Sequence, residues 1–349
     1  MKNRFFVVSK VCLVILGMSL IHCTDDDTDT NNNNRNFGKD GVFVINEGNF
    51  QAGNASLTYY NLKEKDVNSD VYTDINGVAL GDVGQSMYSD NDNLYIVVNN
   101  SQKIEVCDSK TMKRKLTING LTSPRYFQPI NASKAYVTDL FADAIHVVNP
   151  STGMVDKKIA LKGWSEEMIK IGSNVYITSP SSPYLYNVDS NTDQVLDSIL
   201  ISLGANSLRL AKDGSLWVLC GGDFVSGEKG ALHVINLVQG KVQRSMSFTA
   251  SDYPTKLCSN PQADTMYYIN NGIYKLSTQA IALAQTPFIS SEGRSFYGLE
   301  IHPTSGLICV TDAKDFTQRG DAYIYSVSGQ LLHSFETGII PGGILFERE

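Results

Sequence analysis

One apolar run, written seven times with variations, limits what this chain can fold into more than any other feature. It reads VFVINEG at position 42, LYIVVNN at 94, AYVTDL at 135, VYITSP at 175, LWVLCG at 216, MYYINN at 266 and LICVTD at 307. The starts are spaced by 52, 41, 40, 41, 50 and 41 residues. Each run is followed by a second alternating stretch ending near a polar turn: LTYYNLKEKDV, KIEVCDSKTMKRK, AIHVVNPSTGMVD, YLYNVDSNTDQVL, LHVINLVQGKV, GIYKLSTQA and AYIYSVSGQLL. A shorter strand precedes most copies, as in GQSMYSD, PRYFQPI, EEMIKI, NSLRLAKDG, PTKLCSN and YGLEIHP. A fourth follows several, as in KRKLTI, KKIALKG, LDSILIS and RSMSFTA. Four short strands per unit of about 40 to 50 residues is the pattern of a propeller blade. Dense Asn, Asp, Ser and Gly turns and the lack of any long 3.6-residue periodicity agree, so the chain is read as all-β.

The two ends of the repeat point to a closed ring. The first copy has no strand before it, whereas the chain finishes with IIPGGILFERE, which reads as that missing strand. A C-terminal strand completing the first blade leaves no open sheet edge at the junction. Residues 41–349 are therefore expected to form one seven-bladed β-propeller of four-stranded blades, with six or eight blades as the alternatives.

The first 40 residues have a different composition. Lys2, Arg4 and Lys10 precede an apolar stretch, Val11 to Leu20, with the length of a signal-peptide core and too short to span a bilayer. It closes on Leu20-Ile21-His22-Cys23, which resembles a bacterial lipobox except at His22, where Gly or Ala is usual. Residues 1–22 are read as a lipoprotein signal peptide, with ordinary secretion as the alternative, and Cys23 as the lipidated residue. The run TDDDTDTNNNNRN then offers nothing apolar to bury, so residues 23–40 are read as an acidic, Asn-rich disordered tether. Removing the leader deletes three positive and no negative charges, taking the formal charge from −7 to −10. No basic patch stands out, which argues against nucleic acid.

The repeat also judges the residues that look chemical. Aligned on the polar turn, His146 shares a column with Thr58, Glu105, Tyr186, His233, Tyr274 and Tyr323. Two of the four mature histidines thus occupy one repeat position in different blades and cannot combine into a catalytic pair or a metal site. No HExxH and no Ser-His-Asp order occurs, so no catalytic residue and no metal are expected. DAKDFTQRGD (312–321) lacks the ligand alternation of an EF-hand loop, and GGDFVSGEKG (221–230) has glycines without a phosphate-binding motif. Cys107, Cys220, Cys258 and Cys309 show no CxxC spacing; a disulfide among them stays open.

What departs from the repeat lies in two sets of loops that the topology puts on one face of the disc. The loops after the second strand carry Phe50, Phe141, Tyr184, Phe224 and Phe316, and the turns entering the innermost strands carry Tyr126, Trp164, Tyr253 and Tyr297 nearer the axis. Aromatic residues on loops with little to bury them mark a binding surface.

The grammar best seen at 135–155, together with the acidic run, resembles the YncE-like, DUF5074-type seven-bladed propellers carried as surface lipoproteins by Bacteroidetes. Within that group the chain is similar to the lipoproteins that capture vitamin B12 and pass it to a TonB-dependent outer-membrane transporter. The resemblance implies a non-enzymatic, outer-membrane, lipid-anchored protein facing the cell exterior. It implies cobalamin as bound ligand, no catalytic cofactor, and membrane contact through the lipid only. Only the loop positions carry over. A corrinoid is flat and amphipathic, with amides around an apolar ring. Asn49, Gln85, Asn99, Asn100, Arg125 and Asn206 lie in the same loops as the aromatics and have the donors and acceptors to meet those amides. Two rivals remain: an adhesion or scaffold propeller binding a protein or glycan, and a propeller hydrolase or oxidoreductase. For the latter the axial turns offer only Glu166, Glu167, Asp82 and Asp252.

Overall fold

The computed structural model describes residues 37, 41–90 and 92–347. The leader, Cys23 and nearly all of the 23–40 segment lie outside the described residues. The described chain builds seven four-stranded antiparallel sheets arranged as a ring. Blade three is representative, running outward from Pro124–Asn131 through Lys134–Asp139 and Ala144–Asn149 to Met154–Ala160. Each innermost strand packs against those of both neighbouring blades, and the circle closes from Phe296–Ile301 through Pro341–Phe346 to Gly84–Ser89. Closure is as expected: Pro341–Phe346 pairs with Gly41–Asn46, Val42 opposite Phe346, and completes the first blade.

The burial pattern explains why the repeated run is continuously apolar. The second strand of a blade lies inside its own sheet and between two neighbouring sheets, so Gly41–Asn46 is buried at every residue and Ile308–Asp312 likewise. Outermost strands touch a neighbour on one side only, and of Met154–Ala160 Ile159 alone is fully buried. The core is consequently divided into seven clusters, one at each junction between blades, such as Tyr95, Val97 and Ile104 against Phe127, Ala135 and Val137. All four cysteines are free and buried in these layers, where burial pushes the Cys107 thiol up to about 12. The histidine column holds as read: Thr58, Glu105, His146, Tyr186, His233, Tyr274 and Tyr323 all sit opposite the equivalent residue of the second strand.

Two local features differ from the sequence reading. The long first interval contains a six-residue helix, Val71–Asn76, whose start is capped by the Asp70 carboxylate accepting from Thr73 N (3.4 Å) and whose end is closed by Gly77 at φ 67°. Such a short helix leaves no periodic trace. GGDFVSGEKG, read as a loop, is mostly strand: Leu216–Asp223 and Glu228–Asn236 extend past the sheet and meet at a tight turn over 224–227. Its glycines serve close backbone approach; a Cβ on Gly222 would lie 2.3 Å from the Glu228 carbonyl oxygen. Phe37, the first apolar residue after the acidic run, is buried against Phe43 and edge-on to Tyr59 (centroids 4.9 Å).

Ring closure carries a pH dependence. Glu347 donates its N–H to the Gly41 carbonyl (3.1 Å) just past the closing strand, and its buried Oε1 has no hydrogen-bond partner among the described residues. Burial raises this carboxyl from 4.5 to about 7. The folded chain thus holds a proton that the unfolded chain releases above about 4.5, so this contribution to stability is full below that pH and is lost as pH rises to about 7. Glu347→Gln is expected to remove the loss and to gain about 1–3 kcal/mol at pH 8 but little at pH 4. Urea midpoints of both proteins at the two pH values check this; equal gains at both would refute it.

Candidate functional site: loop face and axial channel

The innermost strands do not run regularly to the face. Each pairing with its second strand slips where the strand begins: between Gly84 and Ser86, Pro124 and Phe127, Ala205 and Ser207, Thr255 and Cys258, and Phe296 and Leu299. In blade four Thr178 bonds both Glu166 N–H (2.9 Å) and Glu167 C=O (3.0 Å), and in blade one the slip falls around Gly342. A bulge inserts an extra residue and re-aims side chains. The residues it carries here are Gln85, Arg125, Tyr126, Glu166, Glu167, Asn206, Lys256 and Tyr297, and all of them line two cavities on the ring axis.

The outer cavity, about 460 Å³, opens among the face loops and is walled by Glu47, Gln85, Arg125, Tyr126, Trp164, Glu166, Asn206, Tyr253, Lys256 and Tyr297, among others. The inner one, about 390 Å³, draws on all seven innermost strands and contains Glu167, Arg209, Lys256 and Glu300. Gln85, Tyr126 and Lys256 are walls of both.

The outer cavity is electrostatically built. Arg125 donates through Nε (2.8 Å) and Nη2 (2.7 Å) to the two oxygens of Glu166, and through Nη1 to Gln85. Its guanidinium lies 5.4 Å from the Trp164 ring centroid, and Trp164 Nε1 donates to Glu166. Across the mouth Tyr297 Oη donates to Glu47 (2.8 Å), and Phe316 stacks edge-on to Tyr297 at 5.4 Å. Burial raises the Glu47 carboxyl above its ordinary value despite that hydrogen bond. In the inner cavity Arg209 donates to Glu167 (2.8 Å), while burial raises Glu300.

The aromatics expected on the face divide by depth. Phe50, Phe141, Phe224 and Tyr253 are 68, 73, 87 and 60 % exposed, so solvent and not a neighbouring blade surrounds them; Tyr184 and Phe316 are less exposed. Tyr126, Trp164 and Tyr297 are half-buried in the outer cavity. Tyr253 lies over Gly221, where a Cβ would come within 3.2 Å of its ring. Val225, 94 % exposed beside Phe224 at the hairpin tip, escaped the sequence reading.

The polar residues expected there mostly bond within the protein. Asn99 is buried and donates to Pro124 C=O (2.9 Å), Asn206 to Pro254 C=O (3.0 Å) and Asn49 to Phe316 C=O (3.2 Å). Asn100 donates to Asp82, which also accepts from Gln51 N–H (2.9 Å). These bonds staple loops of adjacent blades. Glu166 and Glu167 stand in the axial turn where the sequence puts them; Glu47, Arg209, Lys256 and Glu300 are further channel residues, of which Lys256 lies inside a slip of register. The one signal for Lys256 is its column: PTKL aligns with PRYF, placing it in the column of Tyr126.

Phe141 is held from below. Asp139, fully buried, accepts at Oδ1 from Phe141 N–H and Ala142 N–H (2.9 Å each) and at Oδ2 from Ser123 N–H (2.8 Å) and Thr122 N–H (3.1 Å). His146 Nε2 lies 3.0 Å from the same Oδ2. His146 is thus a support of the face. No group of three or more His, Cys, Asp or Glu able to hold a metal occurs among the described residues.

Solved structures similar to this chain share its fold. A quinonprotein alcohol dehydrogenase-like protein from Bacteroides thetaiotaomicron is 19 % identical over 90 % of this chain and 79 % of its own, with a TM-score of 0.69. A protein from Lactobacillus plantarum is 14 % identical over 89 % of this chain and all of its own, TM-score 0.64. The β-propeller domain of Cps50 (Swd1) from Myceliophteria thermophila is 13 % identical over 79 % and 91 %, TM-score 0.63. No curated protein matches the chain. The model of a domain of unknown function, DUF5074, matches residues 40–336, and the chain belongs to that family.

Proposed function

We propose that this propeller is a non-enzymatic capture protein that binds a broad, flat, amphipathic ligand on its loop face. The ligand is a corrinoid, held for delivery to a TonB-dependent transporter, with the chain anchored to the outer membrane through Cys23 and facing the exterior. One observation carries the reading: the rings of Phe50, Phe141 and Phe224 are solvent-exposed, and exposed Tyr253 lines a cavity of about 460 Å³ in which Arg125, Glu166, Gln85 and Trp164 are already bonded to one another. Exposed rings meet an apolar macrocycle with little ordering entropy, and a cavity of that size is typical of small-molecule sites. Its preorganised walls need no rearrangement on binding. Capture and release require no chemistry, so the paired Arg125 and Glu166 act as framework.

Titration with cyanocobalamin tests this. Of the two tryptophans, Trp217 is fully buried and Trp164 lines the cavity, so corrinoid binding there quenches Trp164. Nanomolar or tighter binding is expected. Replacing Phe141, Tyr184 and Phe224 together by alanine is expected to weaken it by about 100-fold or more, with the melting curve nearly unchanged because all three rings are exposed. Absence of heat and quenching at micromolar concentrations ends the corrinoid reading. Undiminished binding by the triple variant moves the site off this face. The hairpin tip, Phe224 and Val225, favours a protein or glycan partner as second reading.

A further inference from the structure

Three cations line the axial cavities, and their partners differ. Arg125 is clamped by Glu166 and Gln85, and Arg209 by Glu167. The Lys256 ammonium makes no hydrogen bond or ion pair among the described residues, although the residue is half-buried and is a wall of both cavities. Carboxylates are near enough to feel its charge, Glu47 on the outer side and Glu300 on the inner, yet burial raises both toward the neutral form and neither closes on the ammonium. Lys256 also holds a left-handed backbone, φ 59°, at the blade-six bulge. That conformation costs a side-chain-bearing residue about 1 kcal/mol or more, and such strain gathers where a residue is aimed at a task. Tyr126, a wall of the same two cavities, has a hydroxyl that donates to no described residue, and Asn271 adds a side-chain amide to the outer wall.

A half-buried ammonium that closes on no carboxylate, in cavities also lined by a phenol and an amide, can receive an anion. We propose that Lys256 is an oxyanion-binding site at the junction of the two cavities, taking a phosphate ester or carboxylate that the ligand extends down the axis while its apolar body stays on the face rings. The assignment rests on the capture reading for that ligand but not for the anion itself. The ligand therefore has two parts, a flat amphipathic body and one anionic arm.

Phenyl phosphate and benzyl alcohol, a charged and a neutral probe of similar ring size, test the site on the full chain by calorimetry at low ionic strength. Phenyl phosphate is expected to bind the wild type at least about tenfold more tightly than Lys256→Met, the loss typical of one charge-assisted hydrogen bond. Benzyl alcohol is expected to make no distinction between them, and Lys256→Arg to keep the phosphate binding. Matching melting curves confirm that Lys256→Met is folded. No phenyl phosphate binding by the wild type, or equal binding by Lys256→Met, overturns the site. Phosphate binding that depends on Lys256 in a protein indifferent to cyanocobalamin leaves the anion site standing and removes only the corrinoid. Cyanocobalamin binding with no response to phosphate removes only the anion site.

Discussion

Replacing Asp139 by alanine is expected to cost about 3–5 kcal/mol of stability and to free the Phe141 loop, because five donors lose one acceptor at once. Four are backbone N–H groups from two loops, at 122–123 and 141–142, and the fifth neighbour is the buried His146 Nε2. No water reaches this fully buried carboxylate to stand in for it. Burial alone would raise Asp139, but the hydrogen bonds from His146, Ser123 and Phe141 outweigh burial and hold it below its ordinary value of 3.8. That contribution is present above about 3.8 and is lost as acid pushes the pH through the lower folded value. Wild type is therefore expected to lose stability on acidification where Asp139→Ala does not. Because His146 acts through Asp139, His146→Ala should cost clearly less in the Asp139→Ala background than in wild type. Urea unfolding of the four proteins of this cycle checks the coupling; additive losses would separate His146 from the loop support.

Seven blades were legible because a second strand enclosed by neighbouring sheets has to be apolar on both faces, and LYIVVNN or AYVTDL says so without an alignment. Ring closure was legible from the odd strand at each end. The exposed rings were legible for the opposite reason: Phe50, Phe141 and Phe224 stand where the repeat has no layer to cover them. The channel was legible only in part: Gln85, Arg125, Tyr126, Trp164, Asn206 and Tyr297 stand in turns that the repeat locates, but Glu47, Arg209, Lys256 and Glu300 do not show. Alternation tells inside from outside only while register lasts, and it slips between Thr255 and Cys258 at Lys256. Asn99 and Asn206 looked like ligand donors because sequence shows a side chain's capacity but not its nearest carbonyl, which belongs to Pro124 in one case and Pro254 in the other. The helix Val71–Asn76 is too short for its period to register.

Arg125→Met is expected to destabilise the ring by about 3–5 kcal/mol, the cost of leaving one member of a buried pair alone. Glu166 is 5 % exposed, and without the guanidinium its carboxyl keeps, among the described residues, only the Trp164 indole as side-chain donor. A buried carboxyl without its cation favours protonation, so the deficit of Arg125→Met should shrink as pH falls and grow as it rises. Removing the charge altogether, in Arg125→Met/Glu166→Gln, should recover most of the loss, since a neutral pair of similar volume needs no counter-ion. Chemical unfolding of wild type, single and double variants at pH 5 and pH 8 measures this; a double variant as unstable as the single one would mean that Arg125 acts by packing on Trp164, 5.4 Å away, and not by charge. The recovered double variant also separates framework from contact. If it binds the face ligand like wild type, the pair only shapes the cavity, and the ligand's charge is left to Lys256. If it is stable but no longer binds, Arg125 or Glu166 meets the ligand directly, and the division of labour between clamped and unclamped cations along this axis is wrong.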